Sequence, residues 1–401
     1  MPQEIIGPLL SIGAALELPV IGYVLLALVL AGVVSFATTP LVKALSVKVG
    51  AIDVPRDGRR MHDHPIPRMG GLAIFLGFII SVLLLMPLDQ PKQGMLLGAV
   101  IIVVLGIFDD IYALSAKLKF VVQIAAACVA VFSGNRIEVL SNPNIFSSNP
   151  YCELGVLSVP VTIIWIVALT NAVNLIDGLD GLACGVSTIS SVTTLVIALL
   201  VSEGDVAVMM GALAGACIGF LPYNLNPAKI FMGDTGATFL GYILGTVSVN
   251  GMFKLPTIIS FVVPFLILGL PIFDVCFAVV RRLAKGQSPM SPDRSHIHHR
   301  LIDMGLSQKQ AVGILYVISA ILGLSAVVLT ASTAGRAMIF LAAMAAAGLV
   351  AAKLFLHNDP KSGKEEKRPP EAEGPAGRGE NSGTENESEQ SSAQGEEDRN
   401  G

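Results

Sequence analysis

Apolar residues in this chain come in long unbroken runs, without the alternating or three-to-four spacing of a soluble domain. The runs fall at about 20–42, 70–87, 94–108, 118–134, 156–173, 182–201, 206–222, 236–252, 257–280, 311–330 and 336–356. Most approach the ~20 residues that carry a helix across a bilayer. Backbone groups in lipid must be satisfied within their own segment, so helices are the expected form. The pattern predicts an all-α, polytopic integral membrane protein of about eleven transmembrane helices, the short third run being the least well bounded. Beyond residue 356 the sequence turns charged and rich in Gly, Ser, Glu and Pro. It therefore divides into a membrane-embedded domain, 1–356, and a disordered acidic tail, 357–401. The amino-terminal MPQEIIGPLL lacks a basic n-region, so the first long run is expected to be a retained span.

The connections between runs sort by parity. Odd-numbered connections carry most of the Lys and Arg, among them Arg68, Lys119, Arg281, Arg282, Arg294 and Arg300, whereas the even ones carry only Lys92, Arg136, Lys254 and Arg336. By the positive-inside rule the odd side is cytoplasmic, the amino terminus lies outside and the tail inside. The unusual polar sequence follows the same parity: MHDHPIPRMGG, FDDIYALSAKLK, NAVNLIDGLDG, NLNPAKIFMGDTG and SPMSPDRSHIHHRL all fall on the odd side. On the other side SEGD and LDQPKQ read as simple turns.

Composition narrows the class further. The chain is 53% hydrophobic and 14% charged, with a mean hydropathy of +0.70, which excludes a soluble domain and gives no basic surface for nucleic acid. The net charge of −4 is uninformative because the acidic tail contributes to it. Its five cysteines form no CxxC pair, so neither a disulfide framework nor a zinc site is expected.

Ionisable residues beside membrane spans are costly to keep, which makes each cluster a functional candidate. Asp109 and Asp110 could merely mark a helix end, although carboxylates there oppose the helix dipole. Adjacent carboxylates repel, which suits a general base or a metal ligand. Asp234 in GDTG could simply cap a helix. Together with Asp109, Asp110, Asp177 and Asp180 on one face, it supplies the oxygen ligands a hard divalent cation requires. His296, His298 and His299 lack the partners of a zinc site. Flanked by Arg294 and Arg300, they fit a phosphate site, with a solvated loop at lipid headgroups as the alternative. His62 and His64 carry a weaker signal of the same kind. Several carboxylates, a divalent cation and a basic loop at a membrane surface suit phosphoryl transfer between a lipid phosphate and a soluble donor.

Five motifs in this order, PRMGG, FDD with LSAKLK, NAVNLIDGLDGL, NLNPAKIFMGDTG and PDRSHIHHRL, resemble those of the polyprenyl-phosphate N-acetylhexosamine-1-phosphate transferases over roughly Val54 to Leu306. The resemblance implies transfer of a sugar-1-phosphate from a UDP-sugar to undecaprenyl phosphate in the lipid bilayer of the plasma membrane. It also implies release of UMP and a need for Mg²⁺, with Mn²⁺ as an alternative. The run His296-Ile297-His298-His299-Arg300-Leu301 resembles the branch that uses UDP-N-acetylglucosamine to start teichoic acid, O-antigen or a similar polymer. Enzymes taking UDP-MurNAc-pentapeptide, the alternative, carry three consecutive histidines followed by an aromatic and a glutamate.

The resemblance also assigns roles. Asp234 is the implied Mg²⁺ ligand, and Asp109 the base that deprotonates the lipid phosphate, with Asp110 its partner or a second metal contact. Gly178, Leu179 and Asp180 match a uridine-binding segment, Phe231 an aromatic that stacks on uracil, and Asn174 and Asp177 line the same pocket. Lys119 neutralises phosphate, while His298, His299, Arg294 and Arg300 hold the donor. A homodimer is left open. A secondary transporter would bury acids near the bilayer midplane, often with inverted repeats, and none is visible here. A CDP-alcohol phosphotransferase would place an Ala-Arg pair shortly after Asp-Gly, whereas Asp180-Gly181 is followed by LACGVSTISS.

Overall fold

The apolar runs fold as helices whose ends coincide with the change to polar, Gly or Pro sequence. The structure, a computed structural model, describes residues 19–55, 64–141, 151–251, 259–284, 286 and 296–331. In chain order these form α1 (Val20–Val49), β1 (Ile52–Asp53), β2 (Ile66–Pro67), α2 (Gly71–Leu85), α3 (Gln90–Tyr112), α4 (Ala116–Phe132), β3 (Val139–Ser141) and β4 (Tyr151–Glu153). There follow α5 (Ser158–Ile176), α6 (Leu182–Leu200), α7 (Gly204–Asn224), α8 (Gly233–Gly251), α9 (Ile259–Ile267), α10 (Gly269–Ala284), α11 (Ile297–Asp303) and α12 (Gln308–Ala331). The run at 336–356, the tail 357–401, His62 and Arg294 lie outside the described residues.

The protein is thus an all-α polytopic membrane protein. Six of its described helices are long and apolar enough to cross a bilayer: α1, α3, the segment Gly155–Ile176 containing α5, α6, α7 and α12. The third run, drawn short from the sequence, is the 23-residue α3. Two features modify the sequence expectation. Short antiparallel ladders pair β1 with β2 and β3 with β4. The described part of the run 257–280 is two helices with a turn at Leu268. Pro271 cannot donate to the carbonyl of Ile267 four residues back. The Ser190 hydroxyl of α6 donates to that carbonyl instead, at 2.9 Å, so the break is satisfied from a neighbouring helix.

In lipid, helices gain little from hydrophobic burial against one another, so close packing of small residues does more of the work. On α1 the buried positions Val24, Ala27, Ala31, Ser35, Thr39, Val42 and Ser46 mark one face, while Leu25, Val29, Val33 and Leu41 point outward. Gly215 of α7 meets that face so closely that an added Cβ would run into the backbone of Leu28. α8 lies at the centre, packed against α2, α3 and α5, with every residue from 235 to 249 buried. Its Tyr242 hydroxyl donates to the Met95 carbonyl of α3 at 3.2 Å.

At the end of the bundle where α3 and α7 begin, Lys92 bridges Asp89 and Asp205, each at 2.7 Å. SEGD and LDQPKQ are therefore tied together by an ion triad and are more than simple turns. The carboxyl ends of α1, α3, α5 and α7 and the amino ends of α2, α4, α6 and α8 meet at the opposite end, where the polar motifs lie.

Candidate active site

The PRMGG segment runs alongside the FMGD segment, backbone to backbone. Phe231 N–H donates to the Pro67 carbonyl at 2.8 Å, Gly70 N–H to Phe231 at 2.9 Å and Gly71 N–H to Met232 at 2.9 Å. This ladder delivers Asp234 into the first turn of α8 and Arg68 beside it. Gly233 sits at φ 71° and packs so tightly on Asp110 that a Cβ there would strike its carboxylate. Only glycine takes both that conformation and that contact readily.

Asp109 and Asp110 lie in the last turn of α3 and point to different partners. Asp110 is fully buried and acts as a cap for α8 from across the bundle. Its Oδ1 accepts from Asp234 N–H at 3.0 Å, and its Oδ2 from Thr235 N–H at 3.1 Å and the Thr235 hydroxyl at 2.6 Å. Arg68 closes the shell, with Nε at 2.9 Å and an η nitrogen at 2.8 Å from Oδ1. A carboxylate at a helix amino terminus satisfies otherwise unpaired N–H groups and the dipole together. With its acceptor positions so filled, Asp110 caps the start of α8 in this structure.

Asp109 accepts from Leu114 N–H at 2.8 Å, which holds the chain turning out of α3, and from Lys119 Nζ at 2.9 Å. The same Nζ lies 2.8 Å from Asp234 Oδ2, so one ammonium bridges two carboxylates. Asp234 Oδ1 has Arg68 at 3.8 Å, and its side chain is 20% exposed. It is more open to an added cation than Asp109 or Asp110. Among the described residues no group of three or more His, Cys, Asp and Glu forms a metal cage. Mg²⁺ is typically held by one or two carboxylates and completed by substrate phosphates and water. The open Asp234 fits that kind of binding.

The NLIDGLDG segment joins α5 to α6 at the same end. Burial, then the charges of Asp234 and Asp110, push the Asp177 carboxyl up to about 8. Asp180 Oδ2 accepts from Asn226 Nδ2 at 2.9 Å and Ala228 N–H at 3.0 Å, pinning the NLNPAK loop. Asn226 also reaches Gln308 of α12 at 2.7 Å. Leu179 is buried, while Asn174 and Phe231 are half-buried. Asn171 donates to Gln123 at 2.7 Å and belongs to the α4–α5 packing.

The histidine segment reaches the same place from α11. His298 packs over Gly178, where a Cβ would collide with its Nε2. Its ring centre is 4.3 Å from that of His299 and 5.8 Å from that of His296. Burial and the neighbouring His299 push His298 down to about 4, so it works as a neutral imidazole and adds no positive charge. Arg300 lies in α11, half-buried, with its N–H bonded to the His296 carbonyl. Two further residues belong to the site. Arg68 sits in PRMGG, beside the carboxylates. Asp274, which holds His296 Nδ1 at 2.8 Å, is an acid inside an apolar run, the same signal that marks Asp177.

Carboxylates, two cations and glycine-bound loops gathered at one end of a membrane bundle define an integral membrane enzyme that handles phosphate esters. Residues 93–252 match the profile of glycosyl transferase family 4. The chain is 46% identical over 313 residues to a probable undecaprenyl-phosphate N-acetylglucosaminyl 1-phosphate transferase of Bacillus subtilis, covering 76% of this chain and 86% of the relative. It is 36% identical over 314 residues to a decaprenyl-phosphate N-acetylglucosaminephosphotransferase of Mycolicibacterium smegmatis (71% and 77% covered). It is 34% identical over 271 residues to an undecaprenyl-phosphate alpha-N-acetylglucosaminyl 1-phosphate transferase of Thermotoga maritima (67% and 78% covered). The chain belongs to glycosyl transferase family 4.

Proposed function

We propose that this protein transfers N-acetylglucosamine-1-phosphate from UDP-N-acetylglucosamine to undecaprenyl phosphate, releasing UMP. The reaction takes place on the cytoplasmic face of the cell membrane and begins a glycopolymer. In this reading the amino terminus is outside and the tail inside. The observation that carries the reading is Lys119 held between Asp109 and Asp234, at 2.9 and 2.8 Å, with Arg68 beside them. Such a site positions anions and balances their charge, which is most of what phosphoryl transfer asks of a protein. The relatives' names supply the sugar and the lipid.

A phosphate oxygen of the lipid attacks the β-phosphorus of the donor, the bond from that phosphorus to the bridging oxygen breaks, and UMP leaves. Asp109, oriented by Leu114 N–H, takes up the remaining proton of the lipid phosphate. Lys119 and Arg68 offset the charge that gathers as two phosphates approach. Asp234 would hold Mg²⁺, which when bound draws charge from the donor's pyrophosphate. Asp177 and Asp180, the latter fixing the NLNPAK loop, wall the nucleotide side together with Gly178, His298 and Phe231. For the isoprenoid, an apolar cavity of about 390 Å³ between α5, α9 and α10, lined by Trp165, Leu169, Phe265 and Val275 among others, is of the right chemistry.

The test offers the purified protein UDP-N-acetylglucosamine or UDP-MurNAc-pentapeptide with undecaprenyl phosphate and Mg²⁺, and identifies UMP and the lipid product by mass. The lipid-linked diphospho-N-acetylglucosamine is expected from the first donor alone. No UMP and no lipid product from either donor would overturn the reading.

A further inference from the structure

The chemistry above leaves one buried acid unused. Asp274 lies in α10 within the apolar sequence PIFDVCF, and its side chain is 4% exposed. Both of its oxygens are spent on one segment: Oδ2 on His296 Nδ1 at 2.8 Å, and Oδ1 on the N–H of Ile297, the first residue of α11, at 2.9 Å. A carboxylate accepts only, so a neutral His296 carries its proton on Nδ1 and leaves Nε2 bare. The ring of His296 then lies nearly parallel to that of His298, at 10° and 5.8 Å between centres. His298 in turn rests on Gly178. A continuous set of contacts thus runs from a membrane helix, through His296 and His298, to the NLIDGLDG segment.

We propose that Asp274 is a positioning residue for donor recognition. Acting through His296, it fixes the placement of α11 so that His298 is held against the nucleotide side of the site. The inference rests on the donor-site reading given above. An apolar residue would anchor α11 to α10 at least as well, since buried ionic pairs are seldom more stabilising than apolar packing. What a carboxylate adds is orientation: it selects one tautomer and one face of the ring, as outer partners do for positioned histidines elsewhere.

The test is Asp274→Asn in the full-length protein. The amide oxygen can still accept from Ile297 N–H, but its N–H₂ group would face His296 Nδ1 and drive the proton to Nε2. The expected result is a rise of about tenfold in donor KM and in the Kd for UDP measured by calorimetry. The KM for undecaprenyl phosphate and the thermal midpoint should stay near wild type. Asp274→Asn/His296→Gln should be no worse than His296→Gln alone. If Asp274→Asn does not fold, His296→Gln, which leaves α10 unaltered, should show the same donor-selective rise. An unchanged donor KM, an equal loss for both substrates, or additive effects in the double variant would each overturn the proposal. Wild-type protein that neither binds UDP nor releases UMP would instead refute the function proposed above.

Discussion

Asp109 and Asp110 are neighbours of the same chemistry, and exchanging each for Asn should give opposite results. Asp110→Asn keeps the shape but turns an N–H₂ group toward donors it cannot satisfy. Either Asp234 N–H with Arg68, or Thr235 N–H with its hydroxyl, loses its acceptor. A buried N–H left unpaired costs ~1–3 kcal/mol. Arg68, 28% exposed and still near Asp234, adds only about 1 kcal/mol after solvent screening. The total is ~2–4 kcal/mol, or roughly 5–10 °C in thermal midpoint for a large chain. Asp109→Asn still accepts from Leu114 N–H and loses the charge that pairs with Lys119, which keeps Asp234. Its midpoint should move by no more than about 2 °C, while turnover falls ~10²-fold or more if the carboxylate is the base. Differential scanning fluorimetry in detergent and UMP release on the same preparations separate the two. An Asp110→Asn protein with an unshifted midpoint would refute the capping assignment, and an active Asp109→Asn protein the base.

Two further perturbations read the nucleotide side. Gly178→Ala places a methyl on His298 Nε2, and because His298 is buried it cannot swing away; donor KM should rise about tenfold or more, read in the UMP assay with the lipid saturating. His298 titrates at about 4 in the fold against 6.5 unfolded, so between those values the unfolded chain takes the proton and the folded one does not. Stability is therefore fully present above pH ~6.5 and lost as pH falls toward ~4, by a total of ~3 kcal/mol. His298→Gln should remove that slope from the thermal midpoint, and an unchanged slope would mean that another group sets it.

The helices were legible because lipid leaves the backbone no alternative, so run length alone marks where they lie. The break at Leu268 was not. Pro40 and Pro222 also interrupt apolar runs, yet α1 and α7 continue through them. At Pro271 the helix breaks, and Ser190, a residue distant in sequence, completes the Ile267 carbonyl. Apart from Arg68 and Asp274, most of the charged residues gathered at the site were legible, since charge beside membrane spans stands out. Their division of labour was not. Adjacent positions on a helix point about 100° apart, so Asp109 and Asp110 face different neighbours, and only the three-dimensional arrangement shows that one faces Lys119 and the other the start of α8. Asp180 shows the same limit: its partners Asn226 and Ala228 belong to another motif, and the pairing makes it a brace for the NLNPAK loop.

Lys119 supplies the sharpest separation between metal binding and turnover. Its ammonium sits within 2.9 Å of both Asp109 and Asp234, the position from which a cation reads both carboxylates at once. In the proposed mechanism a divalent ion held by Asp234 would share that space and field with it. Lys119→Met removes the positive charge and keeps the alkyl stem, so the carboxylates become a stronger cation site when no nucleotide is present. At a partly exposed position the change is worth on the order of 1 kcal/mol, close to tenfold in affinity. The Kd for Mn²⁺, followed by electron paramagnetic resonance, should therefore tighten while turnover falls, because the variant has lost the charge that offsets the approaching phosphates. Asp234→Asn should weaken Mn²⁺ binding and turnover together, and chelation followed by Mg²⁺ or Mn²⁺ should switch only the wild type off and on. If Lys119→Met bound Mn²⁺ no more tightly than wild type, the ammonium and the metal would not be competing for the same carboxylates, and Asp234 would lose its place as the ligand.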